Sequence, residues 1–238
     1  MIVVSGLTVR FGGVVSLDEM TAEFPGGTCG LIGPNGAGKT TFFNVMSGFV
    51  TPLAGRVTVD GTDLLAMSDF KRARWGLRRT FQTEQAIEEL TVFDNVATVY
   101  EHSGGGSRTD RRGKVMEALE FVGLAGVAQE YVRTLRAKER RFIEVARAVV
   151  GSPKVVLLDE PAAGLPDEET TELEAIIRAI PDRTGATVIL VDHDMGLVQA
   201  CCTYTAVLDF GRLLASGPTA NVLREARVVE AYLGADDD

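Results

Sequence analysis

The stretch Cys29-Gly30-Leu31-Ile32-Gly33-Pro34-Asn35-Gly36-Ala37-Gly38-Lys39-Thr40-Thr41 decides how this chain is read. From Gly33 onward it fills the pattern G-x-x-x-x-G-K-[ST], set between a short apolar run and a helix-like segment from Lys39 to Met46. The glycines let the backbone curl with its N–H groups pointing inward. The helix N-terminus adds unpaired donors and a partial positive charge. A nucleotide's phosphates suit such a cradle, with Lys39 reaching the β- and γ-phosphates and the Thr40 hydroxyl ligating Mg²⁺. The competing reading is a Gly-rich strand-to-helix turn with no ligand. The strand before the loop and the helix after it count against that.

Composition bounds the rest. At 238 residues, 45% hydrophobic and 24% charged, the chain has the make-up of a globular protein able to bury a good core. One domain over residues 1–238, with a helical subdomain at about 84–147, is expected. The formal charge of −9 disfavours nucleic acid as a partner. The basic cluster Lys71, Arg72, Arg74, Arg78 and Arg79 is a local exception, read as a solvated or partner-facing helix face. Cys29, Cys201 and Cys202 lack metal-ligand spacing and suit small buried residues in a reducing compartment. No apolar run approaches the ~18 residues of a membrane span, and Met1 to Gly6 does not read as a signal peptide. A cytoplasmic protein is expected.

The pattern along the chain is α/β. Short strands are expected at Leu7 to Phe11, Thr21 to Phe24 and Arg56 to Asp60, the last ending in an Asp60-Gly61 turn. Two continuous apolar runs, Val155 to Leu158 and Thr187 to Val191, have the character of buried strands. Between them Asp167 to Ile180 reads as a helix bounded by Pro166 and Pro181. Strand, helix, strand in that order implies a parallel sheet. The middle of the chain is helical in pattern, with a Gly/Ser-rich loop from Ser103 to Ser107, and Asp236-Asp237-Asp238 reads as a disordered end.

The run at 155–158 ends in Asp159-Glu160-Pro161. Adjacent carboxylates at the C-terminal edge of a buried strand stand where such folds place ligand chemistry. Asp159 would hold the water shell of Mg²⁺, and Glu160 would polarise an attacking water. The second run ends in Asp192-His193-Asp194, where His193 is placed to reach a γ-phosphate. Asp209-Phe210-Gly211 matches a protein-kinase motif, but no H-R-D or G-x-G-x-x-G accompanies it, and it reads as a hairpin turn.

In order, Phe11, the Gly33–Thr41 loop, Gln82, Asp159-Glu160 and His193 resemble the ATP-binding subunits of ABC transporters over nearly the whole chain. Further stretches look like the ATPase of bacterial branched-chain amino acid importers: Arg79-Thr80-Phe81-Gln82 with Glu89 to Val96, Pro161 to Leu165, Asp192 to Met195, and Val228 to Gly234. Urea and amide importers have similar subunits. The resemblance implies the ABC ATPase fold: a P-loop NTPase core with a parallel sheet, an N-terminal antiparallel β subdomain and an inserted α-helical subdomain. It also implies ATP and Mg²⁺ as cofactors, and roles residue by residue. Phe11 would stack on adenine. Gly33, Pro34, Asn35, Gly36, Ala37, Gly38, Lys39, Thr40 and Thr41 would hold the phosphates. Thr40 and Gln82 would meet Mg²⁺ directly and Asp159 through water. Glu160 would be the general base, with His193 and Gln82 beside the γ-phosphate. Ile87, Leu90, Val92 and Phe93 would line a groove for a permease helix, or else be core.

One departure stands out. Where the family carries L-S-G-G-Q or a close variant, this chain has Leu135-Arg136-Ala137-Lys138-Glu139, and Pro166 replaces the family's usual Asp or Asn. The family's ATPases pair so that each ATP is completed by the other chain's signature, so the departure weakens the partner's site. The resemblance therefore implies a heterodimer with a second ABC ATPase, docked on membrane permease subunits at the inner face of the plasma membrane. A substrate-binding protein outside would be an indirect partner. An energy-coupling ATPase of an amino acid importer is the expected function. The alternative is a nucleotide-binding switch with little turnover. A soluble repair or translation ATPase lacks its expected coiled-coil insertion or second ATPase domain.

Overall fold

The computed structural model describes residues 1–103 and 109–233. In chain order it runs through β1 (Ile2–Phe11), β2 (Val14–Phe24), β3 (Thr28–Ile32), α1 (Lys39–Ser47), β4 (Ala54–Val59), β5 (Thr62–Asp63), α2 (Asp69–Trp75) and β6 (Leu77–Arg79). Next come α3 (Val92–His102), α4 (Arg111–Phe121), α5 (Ala137–Val149), β7 (Val155–Asp159), α6 (Asp167–Thr184) and β8 (Thr187–Val191). Last are α7 (Met195–Cys201), β9 (Tyr204–Asp209), β10 (Arg212–Pro218), α8 (Thr219–Val222) and α9 (Ala226–Leu233). These elements form two units. One is Met1–Arg72 with the described residues from Thr187 onward; the other is Ala73–Ala186.

The first unit holds an antiparallel sheet ordered β2-β1-β4-β5, in which Ile2 faces Phe24 on one side and Val59 on the other. Asp60 and Gly61 both take positive φ, 47° and 79°, and join Val59 to Thr62 as a two-residue hairpin needs. A second set of strands has β3 parallel to both β8 and β9, with β10 antiparallel to β9. Every residue of β3 and of β8 is buried, which explains their unbroken apolar character. Helix α1 packs on β2 through Phe42 and Phe24, whose rings lie 5.9 Å apart. Each such fully buried side chain contributes about 1.5–3 kcal/mol. Gly48 ends α1 in the left-handed conformation, with its N–H bonded to Val45 O.

In the second unit β6 and β7 are parallel, with Leu77 opposite Val155 and Arg79 opposite Leu157. The helices α3, α4 and α5 pack on one another, burying Val92 and Val96, Val115 and Leu119, and Ile143 and Val145. On α6, Leu173, Ile177 and Ile180 recur at helical spacing and are fully buried.

Two expectations need correction. The basic cluster is not one solvated face: Lys71 and Arg74 are exposed, but Arg72 and Arg78 are buried. Arg72 donates to Val45 O and to Met46 O (3.0 Å), satisfying carbonyls at the end of α1. Arg78 donates to Ala73 O and to Leu77 O, and burial lowers its pKa to about 10. Second, α6 does not stop before Pro181. The missing Pro181 N–H leaves only Ile177 O without its helical donor, and the helix runs on to Thr184, its last turn closed by Thr184 Oγ1 on Ile180 O and Gly185 N–H on Pro181 O, both 2.8 Å. Of the residues read as groove-lining or else core, Val92 is fully buried, whereas Ile87 is 42% exposed. Ser103 caps α3. The rest of the Gly/Ser-rich loop up to Ser107, and Gly234 to Asp238, lie outside the described residues.

Candidate nucleotide site

The first set of site residues belongs to the first unit. At the end of β3 the chain turns at Gly33 (φ 151°), where a Cβ would lie 2.1 Å from the Leu208 carbonyl oxygen. Only glycine fits there. The same holds at Gly38 (φ 105°), where a Cβ would meet Ser16 O at 2.7 Å. Between them Ala37 N–H donates to Pro34 O, and Ala37 O accepts from Gly211 N–H in the β9–β10 turn. The loop is thus fixed from both sides before α1 opens at Lys39.

Lys39 is 7% exposed and folds back over the loop, its Nζ donating to Gly33 O (2.5 Å) and Pro34 O (2.9 Å). A buried ammonium satisfied by its own loop's carbonyls is a cation held at the mouth of a helix N-terminus. Thr40 is exposed, and Thr41 Oγ1 lies 2.7 Å from Ser16 Oγ on β2. Phe11, 52% exposed, stands at the tip of the β1–β2 hairpin. His193 is exposed just beyond β8, before α7, which Asp194 caps through Gly196 and Leu197 N–H. One contact had no signal in the sequence. The Tyr232 phenol on α9 hydrogen-bonds the Gly33 backbone, and burial outweighs that bond to push its pKa up to about 12.

The second set lies in the second unit. Asp159 ends β7, and its carboxylate pairs with Arg79 at 2.8 Å, both side chains largely buried. Asp159 N–H donates to Thr80 Oγ1 (3.1 Å), and Thr80 N–H to Leu157 O. Glu160 takes φ 48°, a left-handed conformation costing about 1–2 kcal/mol for a residue with a Cβ. Its Oε2 accepts from Gln82 Nε2 at 2.9 Å. The pair expected to flank the γ-phosphate is therefore brought together, while Asp159 is engaged by an arginine whose role the sequence did not reveal.

The degenerate signature sits in the same unit. Arg136 precedes the first turn of α5, and its guanidinium and backbone N–H both bond Glu139 (Nη2–Oε1 2.6 Å, N–Oε2 3.1 Å). Lys138 pairs with Glu172 at 2.6 Å. Glu139 and Glu172 neutralise the two cations that replace the signature's small residues. Further along α5, Glu144 is buried, which raises its pKa against the opposing pull of Arg147 and the Gln85 N–H. Phe210, also set at positive φ (42°), is a turn residue 87% exposed between β9 and β10.

Against known proteins, the description "ABC transporter" matches residues 17–163. The chain is 35% identical to the high-affinity branched-chain amino acid transport ATP-binding protein BraF of Pseudomonas aeruginosa, over 97% of this chain and 96% of that protein. It is 33% identical to the corresponding protein LivG of Escherichia coli K12, over the same shares. Among solved structures, the ADP conformation of an ATP-binding cassette of an ABC transporter superposes with TM-score 0.87 at 26% identity, covering 98% of each chain.

Proposed function

We propose, from the premise that this chain belongs to the ABC transporter family, that it is the ATP-hydrolysing, energy-coupling subunit of an importer for branched-chain or related amino acids. The observation that carries the reading is the pre-formed phosphate cradle: Gly33 and Gly38 where no side chain fits, and Lys39 held over them at the start of α1. Such a loop binds the triphosphate through backbone N–H groups, with Lys39 exchanging its carbonyl partners for phosphate oxygens. Phe11 is exposed at the hairpin tip, which suits stacking on adenine.

Glu160 acts as general base on the attacking water. Gln82, already bonded to it, orients its carboxylate, and His193 contacts the γ-phosphate. The donors Thr40, Gln82 and, through water, Asp159 are all oxygens, the set that suits Mg²⁺, which when bound offsets the charge of the phosphates. No helix among the described residues is long and apolar enough to cross a membrane. The likeness to transport ATP-binding proteins supports placing this subunit on the cytoplasmic face, against permease subunits, paired with a second ABC ATPase. The paired cations at Arg136 and Lys138 favour one narrower reading: this chain completes its partner's ATP poorly and turns over slowly alone.

The test is nucleotide titration and steady-state hydrolysis by the purified chain, with and without a second ATPase subunit and the permease. Tight Mg-ATP binding, with hydrolysis rising on assembly, is expected. Absence of nucleotide binding would refute the proposal.

A further inference from the structure

We infer that Arg79 is the resident counter-ion of Asp159, a positioning residue that competes with Mg²⁺ for this carboxylate and transmits the outcome to Gln82. The inference rests on the nucleotide-site reading above. Its physical basis lies wholly within the second unit. The Arg79 and Asp159 side chains are 6% and 9% exposed and meet at 2.8 Å. A carboxylate so placed is charge-balanced before any metal arrives, and a divalent cation drawn to it must share the site with a guanidinium of like sign. Arg79 thus raises the Mg²⁺ concentration at which Asp159 is recruited.

The backbone on either side of the pair does not give. Arg79 is the last residue of β6 and lies opposite Leu157. Thr80 then makes two bonds to β7, donating its N–H to Leu157 O and accepting at Oγ1 from Asp159 N–H. What can move is the side chain. The Arg79 guanidinium lies 4.9 Å from the centre of the Phe81 ring, so it has a second attractive surface when Asp159 turns away. Phe81 precedes Gln82, and Gln82 holds Glu160 at 2.9 Å. The order Asp159, Arg79, Phe81, Gln82, Glu160 therefore joins the two acidic residues of one strand end by a path of direct contacts, without a contact between their carboxylates.

The test uses the full chain and a fluorescent ATP analogue, with Mg²⁺ titrated at constant ionic strength and binding as the readout. R79M should reach half-saturation at roughly three- to tenfold less Mg²⁺, the size expected for removing a partly screened neighbouring charge. R79K keeps the charge and should stay within about twofold of the wild type. An R79M that needs as much Mg²⁺ as the wild type, or more, overturns the inference, because Arg79 would then be supporting Asp159 rather than competing for it. A wild type that fails to bind the analogue refutes the nucleotide-site reading itself, an outcome distinct from an unshifted variant. If R79M does not fold, R79Q makes the same comparison. If neither folds, the Arg79 side chain of the wild type decides by NMR: Mg-nucleotide should shift the Arg79 Nε–H resonance as its guanidinium leaves Asp159, and an unmoved resonance would contradict the inference.

Discussion

Gln82 Nε2 donates to Glu160 Oε2 at 2.9 Å, although 78 positions separate the two residues. Glu160 is held there in a left-handed backbone conformation (φ 48°), and strain of this kind gathers where a side chain must be aimed. Glu160→Gln keeps the size and the contact but removes the base. It should leave ATP binding intact and slow hydrolysis by ~10²–10⁴. Turnover of the assembled complex, alongside a nucleotide titration, checks this; near-normal turnover removes Glu160 from that role.

Lys39→Ala should act on binding instead. Its ammonium is already desolvated and oriented by Gly33 O and Pro34 O, so phosphate gains a charge-assisted donor at little reorganisation. Loss of one such donor weakens nucleotide binding by roughly 10–100-fold. Circular dichroism should show the variant still folded.

Restoring the signature with Arg136→Ser, Ala137→Gly, Lys138→Gly and Glu139→Gln should raise hydrolysis at the site this chain completes for its partner. Missing phosphate-oriented donors cost ~10²–10³ in rate. The Arg136–Glu139 and Lys138–Glu172 pairs each contribute at most about 1 kcal/mol, and the two glycines placed in the first turn of α5 each cost about 0.5–1 kcal/mol, so the variant should be modestly less stable but folded. The assay is run with this chain's own site silenced by Glu160→Gln. An unrestored complex already hydrolysing normally at the partner's site would make Arg136 and Lys138 working replacements.

Much of this was legible because local chemistry dictates it. Gly33 and Gly38 announce the loop, the unbroken apolar runs give β7 and β8, and Asp60-Gly61 gives its hairpin. What was not legible depends on tertiary partners. Arg72 and Arg78 look like surface cations until the α1 carbonyls and Ala73 O are seen to absorb them. Pro181 looks like a stop because propensity penalises it, yet it costs only the Ile177 O bond, and Thr184 and Gly185 close the last turn on Ile180 O and Pro181 O. Arg79, the first of four residues in a familiar-looking stretch, gives no hint that it pairs with a residue 80 positions away. Tyr232 likewise meets Gly33 only through the fold.

Glu144 predicts a pH dependence of stability. Burial raises its folded pKa above the model-peptide value of 4.5, so the folded state holds the proton more tightly than the unfolded one. Its contribution is therefore fully present below pH 4.5 and is lost as pH rises through the raised folded value. Glu144→Gln should match the wild type at the acid end and gain on it toward neutrality, less what the Arg147 contact returns. Urea unfolding at pH 5 and at pH 8 measures the difference. A gap that shrinks with rising pH reverses the assignment.

The most direct measurement is uptake of labelled leucine by cells of the source organism in which this chain has been deleted and then restored as the wild type or as Glu160→Gln. An importer ATPase predicts that deletion lowers uptake, that the wild type restores it, and that Glu160→Gln does not, although equal amounts of protein are present. Uptake restored equally by both forms would contradict the claim that this chain drives transport by hydrolysing ATP.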